Sequence, residues 1–176
     1  MNKGVIPEVI SRFNVYKGSD DGGEKMLGIS NKIDIPALEA ITETISGSGI
    51  LGEIDVTTPG EFGNTEIQIP YIGICEGMFD FSMNKRETIT LRASEQSTVS
   101  MDGTKVYEKY KFVLAGTVKA YTPGSIEKGK RMESSVTLTV SYMKIMNGDI
   151  ELLELDKYNE VFKINGEDQL ADLRDM

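Results

Sequence analysis

The sequence contains no histidine and no tryptophan, and only one cysteine and five prolines in 176 residues. Without histidine the commonest general base and transition-metal ligand is missing, and neither a Ser-His-Asp nor a Cys-His nucleophile can be assembled. The lone Cys75 allows no internal disulfide, so folding is indifferent to redox compartment; with no imidazole to activate it, Cys75 is expected to be a buried small hydrophobe. No run approaches the roughly 18 apolar residues of a membrane-spanning helix. Met1 to Phe13 holds no apolar stretch of signal length, being interrupted at Pro7 and Glu8, so a soluble product without membrane insertion is expected. Basic residues are also in deficit: 19 Lys and Arg face 28 Asp and Glu, for a net charge of −9. A general attraction to nucleic acid phosphates is thereby excluded unless a basic patch is concentrated locally.

What the chain has is glycine, 18 residues, and alternation of period two. Thr65-Glu-Ile-Gln-Ile sets Ile67, Ile69 and Tyr71 against Glu66 and Gln68. Thr88 to Ala93 alternates, and Lys105 to Tyr121 places Val106, Tyr110, Phe112, Leu114, Val118 and Ala120 on one face, with Lys109, Lys111 and Lys119 opposite. Ser134 to Met146 sets Val136, Leu138, Val140 and Tyr142 against Thr137, Thr139 and Ser141. Asn147-Gly148-Asp149 predicts a tight hairpin turn, Ile150 to Leu155 the returning strand, and Tyr158 to Ile164 its continuation beyond a break at Asp156. Phe13–Lys17 and Met26–Ile35 read as a hairpin about the turn 18–23, and Cys75 to Met83 as a short helix or turn on the sheet. Pro36 to Gly63, with no sustained period, reads as a long ordered loop with room for a hairpin of its own. Glu167 to Met176 reads as a short helix with an acidic first turn and Leu170 and Leu173 inward. The expectation is one mainly β domain of about eight strands with a small C-terminal helix.

Three local patterns suggest chemistry and fail on context. Gly47-Ser48-Gly49-Ile50-Leu51-Gly52 spells G-x-G-x-x-G, but a dinucleotide site needs that loop between a strand and a helix, with an acid about 20 residues on. Here Glu53-Ile-Asp-Val-Thr-Thr-Pro follows, so the glycines are expected to serve a tight turn or a close approach to another chain. The acids at Asp20-Asp21, Asp149 to Glu154 and Glu167-Asp168 lack an ordered ligand spacing. Lys128, Lys130 and Arg131 form a modest basic cluster without aromatics on which bases would stack. No catalytic, cofactor-binding or metal-binding residue is assigned, and an enzyme is not expected.

The order of segments nevertheless resembles the major tail tube protein family of contractile-tailed phages and related tailocins. Asn14-Val-Tyr with Leu27-Gly28 and Ile35-Pro-Ala-Leu-Glu resembles the family's opening hairpin and its exit. Ile45-Ser-Gly-Ser-Gly-Ile-Leu-Gly-Glu-Ile-Asp resembles its glycine-rich loop, and Thr90-Leu-Arg-Ala a later strand. Ser141-Tyr-Met-Lys-Ile, Glu154-Leu-Asp-Lys-Tyr-Asn and Ile164-Asn-Gly-Glu-Asp-Gln-Leu-Ala-Asp-Leu-Arg resemble its end. The resemblance spans Asn14 to Arg174. Two departures are Ser141, where the family usually has an aromatic residue, and the lysine-rich run Glu127 to Arg131.

The resemblance implies a β-sandwich or partial barrel with a short C-terminal helix that closes into a ring, six copies per ring, with rings stacking head to tail into a hollow conduit for DNA passage or membrane puncture. It implies sheath, baseplate and tail terminator proteins as partners, and assembly in a bacterial cytoplasm into a virion or tailocin particle. Residues 37–63, apolar yet without a face for their own core, are expected to form an extended inter-subunit loop. Its contact residues would be Leu38, Ile41, Ile45, Gly47, Gly49, Ile50, Leu51, Gly52, Glu53 and Ile54. Glu66, Gln68, Thr88, Thr90, Thr137 and Thr139 are expected on polar strand faces that line the lumen or, alternatively, face the surrounding sheath. The competing reading is a β-sandwich module that binds a ligand such as a carbohydrate; it needs exposed aromatics at loop tips, whereas the tyrosines here fall mostly within strands.

Overall fold

A computed structural model describes residues 4–18 and 23–174. The acid pair Asp20-Asp21, the centre of the first turn and the last two residues of the expected helix lie outside the described residues. The long alternating segments form strands: β1 (Val5–Lys17), β2 (Glu24–Lys25), β3 (Ala40–Ile45), β4 (Ile54–Phe62), β5 (Glu66–Pro70), β6 (Arg86–Val99), β7 (Lys105–Thr122), β8 (Ser135–Asn147), β9 (Ile150–Asp156), β10 (Val161–Ile164) and β11 (Glu167–Asp168). A four-residue helix, α1 (Ala171–Arg174), closes the chain. Nine strands make one antiparallel sheet in the order β11-β10-β9-β8-β7-β6-β1-β2, with β5 also paired to β8; β3 and β4 form a separate two-stranded sheet.

The mainly β class holds, with eleven strands where about eight were expected. The sheet is not a closed barrel. Its end strands, β11 and β2, do not pair with one another, and within the sheet β8 shares one edge between two partners: residues 135–139 pair with β5 and 142–147 with β9. The division falls at Ser141, an extra residue in β8, since Ala115 pairs with Tyr142 and Gly116 with Val140. A bulge of this kind reverses the side-chain phase. Tyr142 is therefore not on the core face with Val140, as the alternation predicts; Met143 is. Lys119 is the matching extra residue in β7, so Tyr121 rather than Ala120 turns toward the core.

Two further expectations change. Residues 26–35 are not a strand; β2 ends at Lys25, and beyond it only Ile29 bridges, to Tyr71. Tyr158–Ile164 does not continue β9 but returns beside it as β10. The reversal is held by Asp156, whose Oδ1 accepts the amides of Tyr158 (3.0 Å) and Asn159 (3.3 Å). Asn165 and Gly166, both at positive φ, turn β10 into β11, so the expected helix begins only at Ala171.

The core lies on one face of the sheet, where Val15, Ile67, Ile69, Ile89, Leu91, Leu114, Val118, Val136, Leu138, Val140 and Met143 converge. A second sheet does not cover it. Two irregular connections do: residues 26–38 contribute Met26, Ile29, Ile33 and Leu38, and the loop after β5 contributes Tyr71, Met78 and Phe81 around a single 3-10 turn (Glu76–Met78). Cys75 packs here half-buried, less enclosed than expected. The loop is fastened from both sides, since Lys17 and Tyr121 donate to the carbonyls of Asp80 and Phe81.

β1 extends well before the expected start at Phe13. Its outer edge carries no partner strand from Val5 to Asn14 among the described residues, and such an edge invites pairing with another chain. Pro7 and two register shifts interrupt it. Glu8 pins its beginning by accepting from Lys105 (2.6 Å), Thr98 (2.6 Å) and Gln96 (2.7 Å), and these hydrogen bonds, that of Lys105 foremost, hold its carboxyl down to about 2.

Two outcomes test this architecture. A Cβ on Gly116 would lie 2.0 Å from the Thr139 carbonyl oxygen, whereas one on Gly47 would meet nothing within 4 Å. Gly116→Ala should therefore destabilise by about 2 kcal/mol or more, lowering the melting temperature by roughly 5 °C, and Gly47→Ala should leave it unchanged. Glu8, with its folded-state pKa depressed, contributes stability above the ordinary carboxylate value of 4.5 that is lost as pH falls toward about 2. Its carboxyl carbon should accordingly titrate by NMR near pH 2, with fraying of the β1 start on the same midpoint; a midpoint near 4.5 would contradict the clip.

Candidate functional site

Among the described residues no three Cys, Asp or Glu side chains gather as a metal site. The features that stand out are surfaces. The first is the β3–β4 hairpin, whose pairing runs Thr42–Thr57, Glu43–Val56, Thr44–Asp55 and Ile45–Ile54. Cross-strand partners share a face, so Ile45, Ile54 and Val56 line up with Glu43 on one side, and the threonines with Asp55 on the other. Thr44 donates to Asp55 at 2.7 Å. The apolar side covers nothing: Ile45, Ile54 and Val56 are all exposed. A lone two-stranded hairpin is marginal in water, and an exposed apolar stripe on it is a surface awaiting a partner.

The tip, residues 46–53, contains the G-x-G-x-x-G text. Gly49 and Gly52 sit at φ +95, a backbone region that L residues rarely enter, which accounts for glycine at those two positions; Gly47 needs no such freedom. The motif is a hairpin turn with Leu51 at its apex and no helix behind it.

The base of the hairpin is anchored on its own domain. Ile41, Gly60 and Phe62 meet Leu155, Leu170 and Leu173 around a cavity of about 400 Å³, and Phe62 packs edge-on against Phe162 with ring centroids 4.8 Å apart. Lys157 Nζ donates to the carbonyl of Gly63 (2.6 Å) and to Thr65 (3.2 Å). Of the expected contact residues, Leu38 packs against the core and Ile41 lies at the base; Ile45, Gly47, Gly49, Leu51, Gly52, Glu53 and Ile54 are exposed on the projecting part, and Ile50 is half-buried.

The second surface is the sheet face opposite the core. Glu66 pairs with Thr139, Thr139 with Thr117 and Thr117 with Arg86, so all four share one row. Alternation places Gln68, Thr137, Thr88 and Thr90 on the same face. All six residues expected on polar strand faces are thus brought to one face, but not equally exposed: Thr90 is 1% accessible and donates to the Gly18 carbonyl. Lys119 donates to Glu66 at 2.6 Å and holds its carboxyl below the usual range. Farther along, burial would raise the pKa of Glu154, but hydrogen bonds from Lys163 and Tyr142 and the charge of Lys144 leave it lowered. Arg86 lies 5.7 Å from the ring centres of both Tyr142 and Tyr158. The face carries alternating, internally paired charge, and beside Glu66 and Gln68 it borders a cavity of about 380 Å³ shared with Lys32, Asp34, Ile35 and Pro36.

A third surface is missing from the sequence reading: Ile6, Val9 and Ile10 on the open edge of β1, with Tyr107, are all exposed. The run Val5-Ile6 and Val9-Ile10 is its signal in the sequence.

The family model described as phage tail tube protein FII matches residues 7–176. The tail tube protein of Escherichia phage P2 is 21% identical over 175 residues, covering 96% of each chain. Among solved structures, a chain in the sheath/tube terminator of an extracellular contractile injection system, in its extended state, superposes with a TM-score of 0.54 at 16% identity. That match spans 80% of this chain and 96% of the other, a likeness of fold.

Proposed function

The chain belongs to the phage tail tube protein FII family, and from that premise we propose that six copies close into a ring and that rings stack head to tail into the hollow inner tube of a contractile tail. A tail tube protein is a structural component of a tail particle. The observation that supports association between copies is surface area. The chain exposes 11700 Å², whereas a compact monomer of 19.4 kDa exposes about 8,500 Å². The excess, roughly 3,000 Å², is of the size that obligate subunit interfaces remove from water.

Cyclic closure gives the open edge of β1 a partner, and stacking gives the hairpin's apolar side one; head-to-tail contacts that do not close generate a filament. In this reading residues 37–63 bridge copies. The polar face bearing Glu66, Gln68, Thr88, Thr137 and Thr139 lines the bore, and sheath, baseplate and terminator proteins meet the outside and the ends. At −9 per copy a six-membered ring carries about 54 negative charges, which suits passage of DNA without adhesion. Assembly takes place in the bacterial cytoplasm.

Scrambling residues 46–55 should abolish tubes in negative-stain micrographs at concentrations where the unaltered chain forms them, and native mass spectrometry should show monomers with an unchanged melting transition in place of sixfold species. Normal tubes from the scrambled chain would remove the hairpin from the assembly.

A further inference from the structure

The lysine-rich run Glu127 to Arg131 finds no use in the fold. It lies in the connection between β7 and β8, whose neck is pinched where a Cβ on Gly124 would meet the Met132 carbonyl oxygen at 2.0 Å. Ser125 N donates to that carbonyl at 2.8 Å. Its stem is bonded to the segment after β5, Tyr71 N to Ser134 O (2.7 Å) and Glu133 N to Ile72 O (3.3 Å). This brings Ile126, 92% exposed, to the same end of the sheet as the exposed Ile72 and Ile74. Lys128, Lys130 and Arg131 stand exposed, three bases in four residues, with Glu127 and Glu133 flanking them. Among the described residues none of the three forms an ion pair, whereas Lys105, Lys119, Lys144 and Lys163 are each paired with a glutamate.

The opposite imbalance lies in the hairpin. Residues 37–63 hold Glu39, Glu43, Glu53, Asp55 and Glu61 and no lysine or arginine, and Leu51 at the tip is fully exposed. In a single copy the two surfaces do not cover one another. The hairpin leads into the start of β5 and the basic loop is bonded beyond its end, so they sit at opposite ends of a strand spanning about 17 Å. Two complementary patches on opposite ends of one molecule can be satisfied only between copies, and that arrangement is heterologous and open-ended.

We propose that the basic loop, with Ile72, Ile74 and Ile126, is the docking surface for the acidic, apolar hairpin of an adjacent copy. The pairing rests on the tube reading and adds to it the address of the hairpin. Apolar contact supplies the area; opposite charge selects the head-to-tail orientation and penalises loop-to-loop or hairpin-to-hairpin contact.

The test is a charge exchange read by sedimentation and electron microscopy of the purified full chain, with circular dichroism melts to show that each variant is folded. Lys128→Glu, Lys130→Glu and Arg131→Glu together, or Glu43→Lys, Glu53→Lys and Asp55→Lys together, should each raise the concentration needed for assembly at least tenfold. Combining both sets should restore it to within about threefold of the original. Unimpaired assembly by the loop variant, or failure of the combined variant to recover, overturns the pairing while the tube reading stands. If the unaltered chain forms no rings or tubes, both fall.

Discussion

The structure depends on how closely β7 and β8 approach where they cross. Gly116 lies against the backbone of Thr139, and the absence of a side chain there lets the strands remain paired while β8 carries its extra residue, Ser141. Ser141 itself is used twice, its hydroxyl donating to Ala115 O at 3.3 Å and its carbonyl accepting Lys157 N at 2.9 Å. One bulge thus divides the edge of β8 between β5 and β9 and moves Tyr142 to the polar face. It also sets Lys157 where its ammonium reaches Gly63 and Thr65 at the root of the hairpin. Burial pushes that lysine's pKa down.

From that division follows a molecule that is unfinished alone. Its core is closed by two connections rather than by a second sheet, so one sheet face, the β1 edge and the hairpin all remain available. The terminal strands β2 and β11 are only two residues long, which blunts those ends against indiscriminate pairing. The open part of β1 is guarded differently, by Pro7 and by bulges. The surface is therefore unsatisfied in some places and protected in others, the pattern that the proposed one-way association calls for.

Strand alternation was legible wherever the register stayed regular. Ile67, Ile69 and Tyr71 face inward as their spacing predicts, and Glu66, Gln68, Thr137 and Thr139 share a face because their strands pair without a slip. The same rule fails at Tyr142 and Ala120, each just past an inserted residue, because alternation counts residues and a bulge adds one. The hairpin's stripe escaped notice for another reason: Ile45, Ile54 and Val56 come from two strands, each too short to show a period, and become a stripe only through pairing. Leu38, which reads like the isoleucines after it, belongs to the core because residues 26–38 double back over the sheet.

Taken alone, the sequence determined the β class, the turn at Asn147-Gly148, the lack of any histidine-based chemistry and, through its ordered motifs, the family. These are properties of composition and of neighbours along the chain. Only the tertiary structure decided that the sheet stays open, which residues cover its core, and that the acidic hairpin and the basic loop stand at opposite ends of β5. Those features arise from backbone approach and strand register between residues distant in sequence, which no local pattern encodes.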